Sequence, residues 1–200
     1  MQCHPKTKKM TSISEQFEHI FEVVSSEGFL KMQALGGEIP FYISAYDPTQ
    51  EMPVRQAIRG LINKLEKRSI SVLEVNLYDL SVEIIDNKMG MEKMFKVEQR
   101  RKDKAKFMRA LQSSLNMHEV LMPAVEAKIK QAQAQVYFFT GIGEVFPFIR
   151  SHNVLNNLQN IAKQAPTVMF FPGNYNGHSL ELFGKLTDDN YYRAFNIQNV

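Results

Sequence analysis

The sequence predicts an α/β fold: a mostly parallel, Rossmann-like or degenerate P-loop-like sheet flanked by helices, with a helical insertion between the second and third strands. Three observations predict it. Runs such as Phe41–Tyr46 and residues 135–140 are apolar at nearly every position, as in strands buried on both faces of a parallel sheet. A helical stripe of Val54, Ala57, Ile58, Leu61, Ile62 and Leu65 separates the first run from another at residues 71–78. Strand, helix and strand thus follow within about forty residues, a right-handed βαβ unit. Between the second and third strands, residues 80–134 read as helical.

The elements follow in order. Residues 1–10 form a flexible basic tail, and residues 11–200 are expected to make one α/β domain that contains the 80–134 insertion. Ser12 and Glu15 give an S-x-x-E capping box, and Ile13, Phe17, Ile20, Phe21 and Val24 continue at helical spacing. Gly28 is the expected stop and Gly36-Gly37 a break. Asp47 suits the N-cap of the next helix, Pro48 its first position, and Gln50 follows three residues after the cap.

Within the insertion, the polar stretch 98–106 is flanked by Met91, Met94 and Phe95 before it and by Phe107, Met108, Leu111 and Leu115 after it. That pattern predicts helices standing partly off the sheet. Pro123 opens a new helix after His118. After the third strand, Gly141-Ile142-Gly143-Glu144 turns into a helical segment whose apolar face continues through Val154, Leu155, Leu158, Ile161 and Ala162. A fourth strand, 167–171, is closed by Pro172-Gly173, and residues 180–183 and 191–197 read as short edge strands.

Composition bounds the chemistry. With 44% hydrophobic and 22% charged residues in 200, the chain is expected to fold without staples rather than stay disordered. A net charge of +3 is too mild to indicate nucleic acid by itself. Cys3 is the single cysteine, which excludes an internal disulfide and fits a reducing compartment. The polar start lacks the apolar core of a secretory signal, and no apolar run approaches membrane-spanning length. The expected location is the cytoplasm, with no membrane partner.

In open α/β sheets, sites lie outside the carboxyl ends of the parallel strands. Three turns occupy that place: Asp47-Pro48-Thr49-Gln50, Gly141-Ile142-Gly143-Glu144 and Pro172-Gly173-Asn174-Tyr175. A phosphate loop needs glycines, whose backbone N–H groups cradle the phosphates, and a lysine to meet their charge. The first turn has neither and sets Asp47 there, beside Thr49. The second begins G-x-G but lacks the third glycine of a dinucleotide fingerprint, and Glu144 would repel a pyrophosphate. Arg150, Ser151, His152 and Asn153 follow closely enough to converge on the same crevice, although Ser151 or Asn153 also suits a helix cap. The candidate crevice or interaction surface is therefore Asp47, Thr49, Gly141, Gly143, Glu144, Arg150, His152 and Asn153.

No catalytic residue, cofactor or metal site is predicted. The five histidines are scattered, and neither H-E-x-x-H nor a paired C-x-x-C occurs. Asp47, Asp79 and Glu144 all follow strands and form a conceivable Mg²⁺ set. There is no G-x-S-x-G elbow. Arg100, Arg101 and Lys102 head a basic run that could meet DNA phosphates; Glu98 and Asp103 interrupt it, as on a solvated mixed-charge helix face.

Several segments carry a resemblance. They are Phe138-Phe139-Thr140-Gly141-Ile142-Gly143-Glu144-Val145-Phe146-Pro147-Phe148-Ile149-Arg150, then Ser151-His152-Asn153-Val154-Leu155, Pro172-Gly173 with Tyr175 and Gly177, and Asp188-Asp189-Asn190-Tyr191-Tyr192-Arg193-Ala194-Phe195. They resemble the BrxB family, small components of BREX bacteriophage-exclusion systems, as does the first strand with its helix. The resemblance implies a non-catalytic assembly or adaptor role in phage defence. The alkaline-phosphatase-like protein of the system is its first expected partner, and other BREX components follow. It supplies no catalytic residues to carry over. The alternatives are a degenerate nucleotide-binding or Mg²⁺-dependent enzyme at the strand-end crevice, and a DNA-binding subunit.

Overall fold

The computed structural model describes residues 12–33, 40–100, 103–188 and 194–200, the side chains of residues 151, 152 and 188 excepted. The tail, the Gly36-Gly37 break, Arg101, Lys102 and residues 191–193 lie outside them.

The predicted fold class is borne out. Strands β1 (Phe41–Tyr46), β2 (Val72–Asn76), β3 (Val136–Thr140) and β4 (Thr167–Tyr175) pair in parallel in the order β2-β3-β4-β1. Beyond them come β5 (Leu180–Leu182) and β6 (Leu186–Asp188), which extend β4 as an antiparallel ribbon, and β7 (Phe195–Asn196), which pairs with the free side of β1.

Two helices precede β1, namely α1 (Ile13–Val24) and α2 (Glu27–Leu30). From β1 the chain runs through α3 (Glu51–Lys67) to β2 at the far edge, then works back through β3 to β4. Right-handed crossovers in opposite directions place their helices on opposite faces. The two cores follow that rule. Val54, Ile58, Leu61 and Leu65 of α3 join α1 in packing on Tyr42, Phe138 and Phe170. The helices after β2 pack on Ile43, Val75, Phe139 and Phe171. Alternate residues of β1, β3 and β4 thus enter two different cores, so these strands read apolar throughout.

The capping box holds: Ser12 Oγ accepts from the Glu15 N–H, and Glu15 Oε2 accepts from the Ser12 N–H at 2.9 Å. Gly28 does not stop α1, which ends at Val24 with Ser25 as its C-cap; it lies inside α2, capped by Ser26.

Residues 80–134 form several pieces: the rest of α4 (Leu77–Met89), then α5 (Met91–Arg100), α6 (Lys104–Ser114), a π turn (Met117–Leu121) and α7 (Met122–Ala132). Gly90 at φ +80° and the caps Asp103 and Asn116 make the breaks. Pro123 sits in the first turn of α7, as expected. Only Met94 of α5 is buried, so α5 stands off, whereas Val125 and Ile129 of α7 join the core under the sheet.

Three boundaries differ from the sequence reading. β2 ends at Asn76, because the Asn76 Oδ1 accepts the Tyr78 and Asp79 N–H groups at 2.9 and 3.2 Å and starts α4 there. Residues 142–149 are turns rather than the start of a helix; α8 (Ser151–Ile161) begins after Pro147, which has no N–H to continue a helical ladder. Pro172-Gly173 does not close β4. Pro172 is the last residue facing β1, and Gly173 is the first facing β5, so the strand changes neighbours and continues.

Candidate functional site

The parallel sheet brings the ends of β1, β2 and β3 together. Tyr46 ends β1, and Glu51 and Arg55 follow one turn apart on α3, so their side chains share a face. Glu74 and Asn76 come from β2, Thr140 and Gly141 from β3, and Glu144 from the turn beyond it.

These side chains close on one another. The Tyr46 hydroxyl donates to Glu51 Oε2 at 2.6 Å. The Arg55 guanidinium lies 2.6 Å from Glu144 Oε1 and 3.5 Å from Glu51 Oε1. The Thr140 hydroxyl donates to Glu74 Oε1 at 2.8 Å. Burial, then the bond to Glu51, pushes the Tyr46 hydroxyl well above its ordinary range, so it stays a donor. The bond to Glu144 raises the Arg55 pKa further. A void of about 20 Å³ remains between Tyr46, Glu51, Arg55, Glu74 and Thr140, little more than the ~10–15 Å³ that one water needs.

The sheet gathers only some of the predicted surface. Asp47 caps the turn after β1 by accepting from the Thr49 N–H at 2.8 Å and the Thr49 hydroxyl at 2.7 Å. Those bonds lower the Asp47 pKa and turn the pair toward its own turn. Gly141 and Glu144 do belong to it. Gly143 serves packing, since a Cβ there would come within 2.9 Å of Phe183 and Pro172. Arg150 and Asn153 line a separate groove of about 230 Å³ with Leu115, Met117, Phe148 and Ile149. Neither convergence with Glu144 nor an Asn153 cap is seen; Arg150 is the N-cap position of α8, with no side-chain cap bond. His152 lies in the first turn of α8, its side chain outside the described residues. Arg100 is the exposed last residue of α5.

Among the described residues no three His, Cys, Asp or Glu are grouped to hold a metal ion, and Asp47, Asp79 and Glu144 are not brought together. Among them, too, no helix is long and apolar enough to cross a membrane. Arg55, Glu51, Tyr46, Glu74 and Thr140 escaped the sequence reading. The Glu51–Arg55 spacing was a visible sign; the Glu74–Thr140 bond needs the β2–β3 register.

Beside the crevice, a cleft of about 270 Å³ opens between α3, β2 and α4, lined by Arg55, Arg59, Glu74, Asp79, Glu83 and Lys128 among others.

Arg55→Met is expected to destabilise the chain by about 1 kcal/mol, well below a fully buried pair, because Arg55 and Glu144 keep 34% and 32% of their side-chain surface in water. Adding Glu144→Gln should restore part of the loss, since Glu144 Oε2 is already buried without a partner. Thermal unfolding of the single and double variants checks this, and equal losses in both would refute it.

The sequence profile of the family described as BREX protein BrxB matches residues 73–197. That span includes Glu74, Asn76, Thr140, Gly141 and Glu144 but not Tyr46, Glu51 or Arg55. A BREX protein BrxB of Bacillus cereus (strain H3081.97) is 36% identical over 192 residues, covering 94% of this chain and 98% of the relative. A BREX protein BrxB of Escherichia coli O9:H4 (strain HS) is 26% identical over 174 residues, covering 87% and 86%. No solved structure matches the chain.

Proposed function

This chain belongs to the BrxB family and is a BREX-system component, and from that premise we propose that it is a non-catalytic assembly or adaptor subunit of an anti-phage defence complex. Its first partner is the alkaline-phosphatase-like protein of the system. One observation carries the reading: the strand-end crevice, where an α/β enzyme binds its substrate, is filled by its own side chains. Arg55 is held between two glutamates, Tyr46 and Thr140 donate to carboxylates, and little more than one water fits in what remains.

The neighbouring backbone donors are also engaged. The Thr49 N–H goes to Asp47, and the first N–H groups of α4 go to Asn76. The geometry therefore favours recognition over turnover.

The test is capture from cells carrying the whole operon, with the tagged chain as bait and mass spectrometry of what it retains. The expected result is stoichiometric retention of the alkaline-phosphatase-like protein. Titration of the purified chain with ATP, ADP and Mg²⁺ should leave its melting temperature unchanged. Capture of no operon protein, or a saturable shift with nucleotide, would sink the adaptor reading.

A further inference from the structure

β2 is the outer strand of the parallel sheet, and among the described residues no strand pairs with its side away from β3. The register decides which of its backbone groups are used. Val72 lies opposite Val136, and the Val136 N–H donates to the Ser71 carbonyl at 3.2 Å. In a parallel ladder, alternate residues direct both backbone groups to the same neighbour. Ser71, Leu73 and Val75 therefore turn toward β3, and Val72, Glu74 and Asn76 turn outward. Asn76 is taken up as the N-cap of α4, which leaves the N–H and C=O of Val72 and Glu74 facing away from the sheet. Such an edge is a template for an added strand.

The cleft of about 270 Å³ lies at this edge. Its α3 wall, with Arg55 and Arg59, belongs to one layer of the fold; its other wall, with Asp79, Glu83 and Lys128, belongs to the opposite layer. Successive side chains of an added strand point to opposite faces, so they would meet the two walls in turn. Arg55 is tied to Glu144, and Lys128 pairs with Glu83 at 2.9 Å. Exposed Arg59 and Asp79 make no ion pair among the described residues. One wall thus offers a cation and the other an anion.

We propose that the β2 edge is the docking site for an extended segment of a partner protein, added as a strand with an acidic side chain toward Arg59 and a basic one toward Asp79. This rests on the adaptor reading above. A second copy fits less well. Antiparallel β2–β2 pairing about a twofold axis normal to the sheet keeps like walls on the same side, setting Arg59 toward Arg59 and Asp79 toward Asp79.

The test uses the full chain, co-expressed with the other operon proteins. Val72→Pro removes an outward N–H and puts a ring in the path of an added strand, while the β2–β3 ladder does not use that N–H. The double reversal Arg59→Glu with Asp79→Lys changes both walls at exposed positions and decides the matter should Val72→Pro fail to fold. The expected result is a loss of partner retention of roughly tenfold or more in each. The Glu74 amide should exchange rapidly in the free chain and be protected in the complex. Undiminished capture by the folded variants, or an unprotected Glu74 amide, overturns the docking edge and leaves the adaptor reading standing. A wild-type chain that captures no operon protein overturns both. A wild-type dimer that Val72→Pro converts to monomer assigns the edge to a second copy and overturns the proposal.

Discussion

Gly141→Ala is expected to lower the free energy of unfolding by roughly 2–4 kcal/mol, read as a shift in the urea midpoint. Gly141 adopts φ +71°, a left-handed conformation that costs an L residue about 1–2 kcal/mol. A Cβ there would also stand 2.2 Å from Asn76 Oδ1 and 3.1 Å from the Tyr78 nitrogen. That oxygen accepts the Tyr78 and Asp79 N–H groups that open α4. The Asn76 side chain must leave, and losing such a cap costs about 0.5–2 kcal/mol. The mechanism predicts non-additivity: in an Asn76→Gly background the same replacement should cost less, because the clash and the cap are already gone. A simple sum of the two single losses would show that Asn76 is not what Gly141 protects.

Gly173→Ala is expected to cost roughly 2–3 kcal/mol, as overpacking against rigid structure does. Its Cβ would fall 2.1 Å from the Glu181 carbonyl oxygen and 3.0 Å from the Phe183 nitrogen. Both are backbone atoms and cannot rotate aside. Gly173 faces Leu182 across the β4–β5 ladder, next to the 2.9 Å bond from the Phe183 N–H to the Pro172 carbonyl. The ribbon must open locally while the central strands hold. Hydrogen exchange should therefore accelerate at Phe183, whose N–H bonds the Pro172 carbonyl, before it changes at Phe139; uniform acceleration would contradict a local origin.

The parts of the fold legible in the sequence are those written in contiguous residues. Ser12 with Glu15, the Asp47 cap with Pro48 at the first position after it, and the nearly unbroken apolar runs of β1 and β3 are local statements, and the structure repeats them. Boundaries set by a single side chain's geometry were not legible. Leu77 and Tyr78 read as strand, yet one oxygen of Asn76 turns them into helix. Proline ordinarily ends a strand, but Pro172 sits where β4 exchanges neighbours.

The crevice divides the same way. Gly141 and Glu144 were visible beside each other after β3. Their counterpart Arg55 lies nearly ninety residues earlier and is brought in only by a strand order that sequence periodicity does not encode. Glu51 and Arg55, at i and i+4, were the one legible sign of it. The resemblance carried by residues 138–195 was the most informative feature for placing the chain in its family, and the matched span 73–197 contains it.

The strand order has a consequence for how the chain acquires its structure. β1 lies between β4 and β7, so its lateral partners are Thr167 to Pro172 on one side and Phe195 and Asn196 on the other. A ribosome that has released β1 and α3 has delivered an apolar strand with both edges bare. It must then make about a hundred further residues before the first partner appears. Closing so long a span before any pairing is gained slows folding and leaves a template open to other chains meanwhile. α1 and α3 cover one face of β1 early, being close to it in the chain. For β1, synthesis and folding are therefore separate events in time.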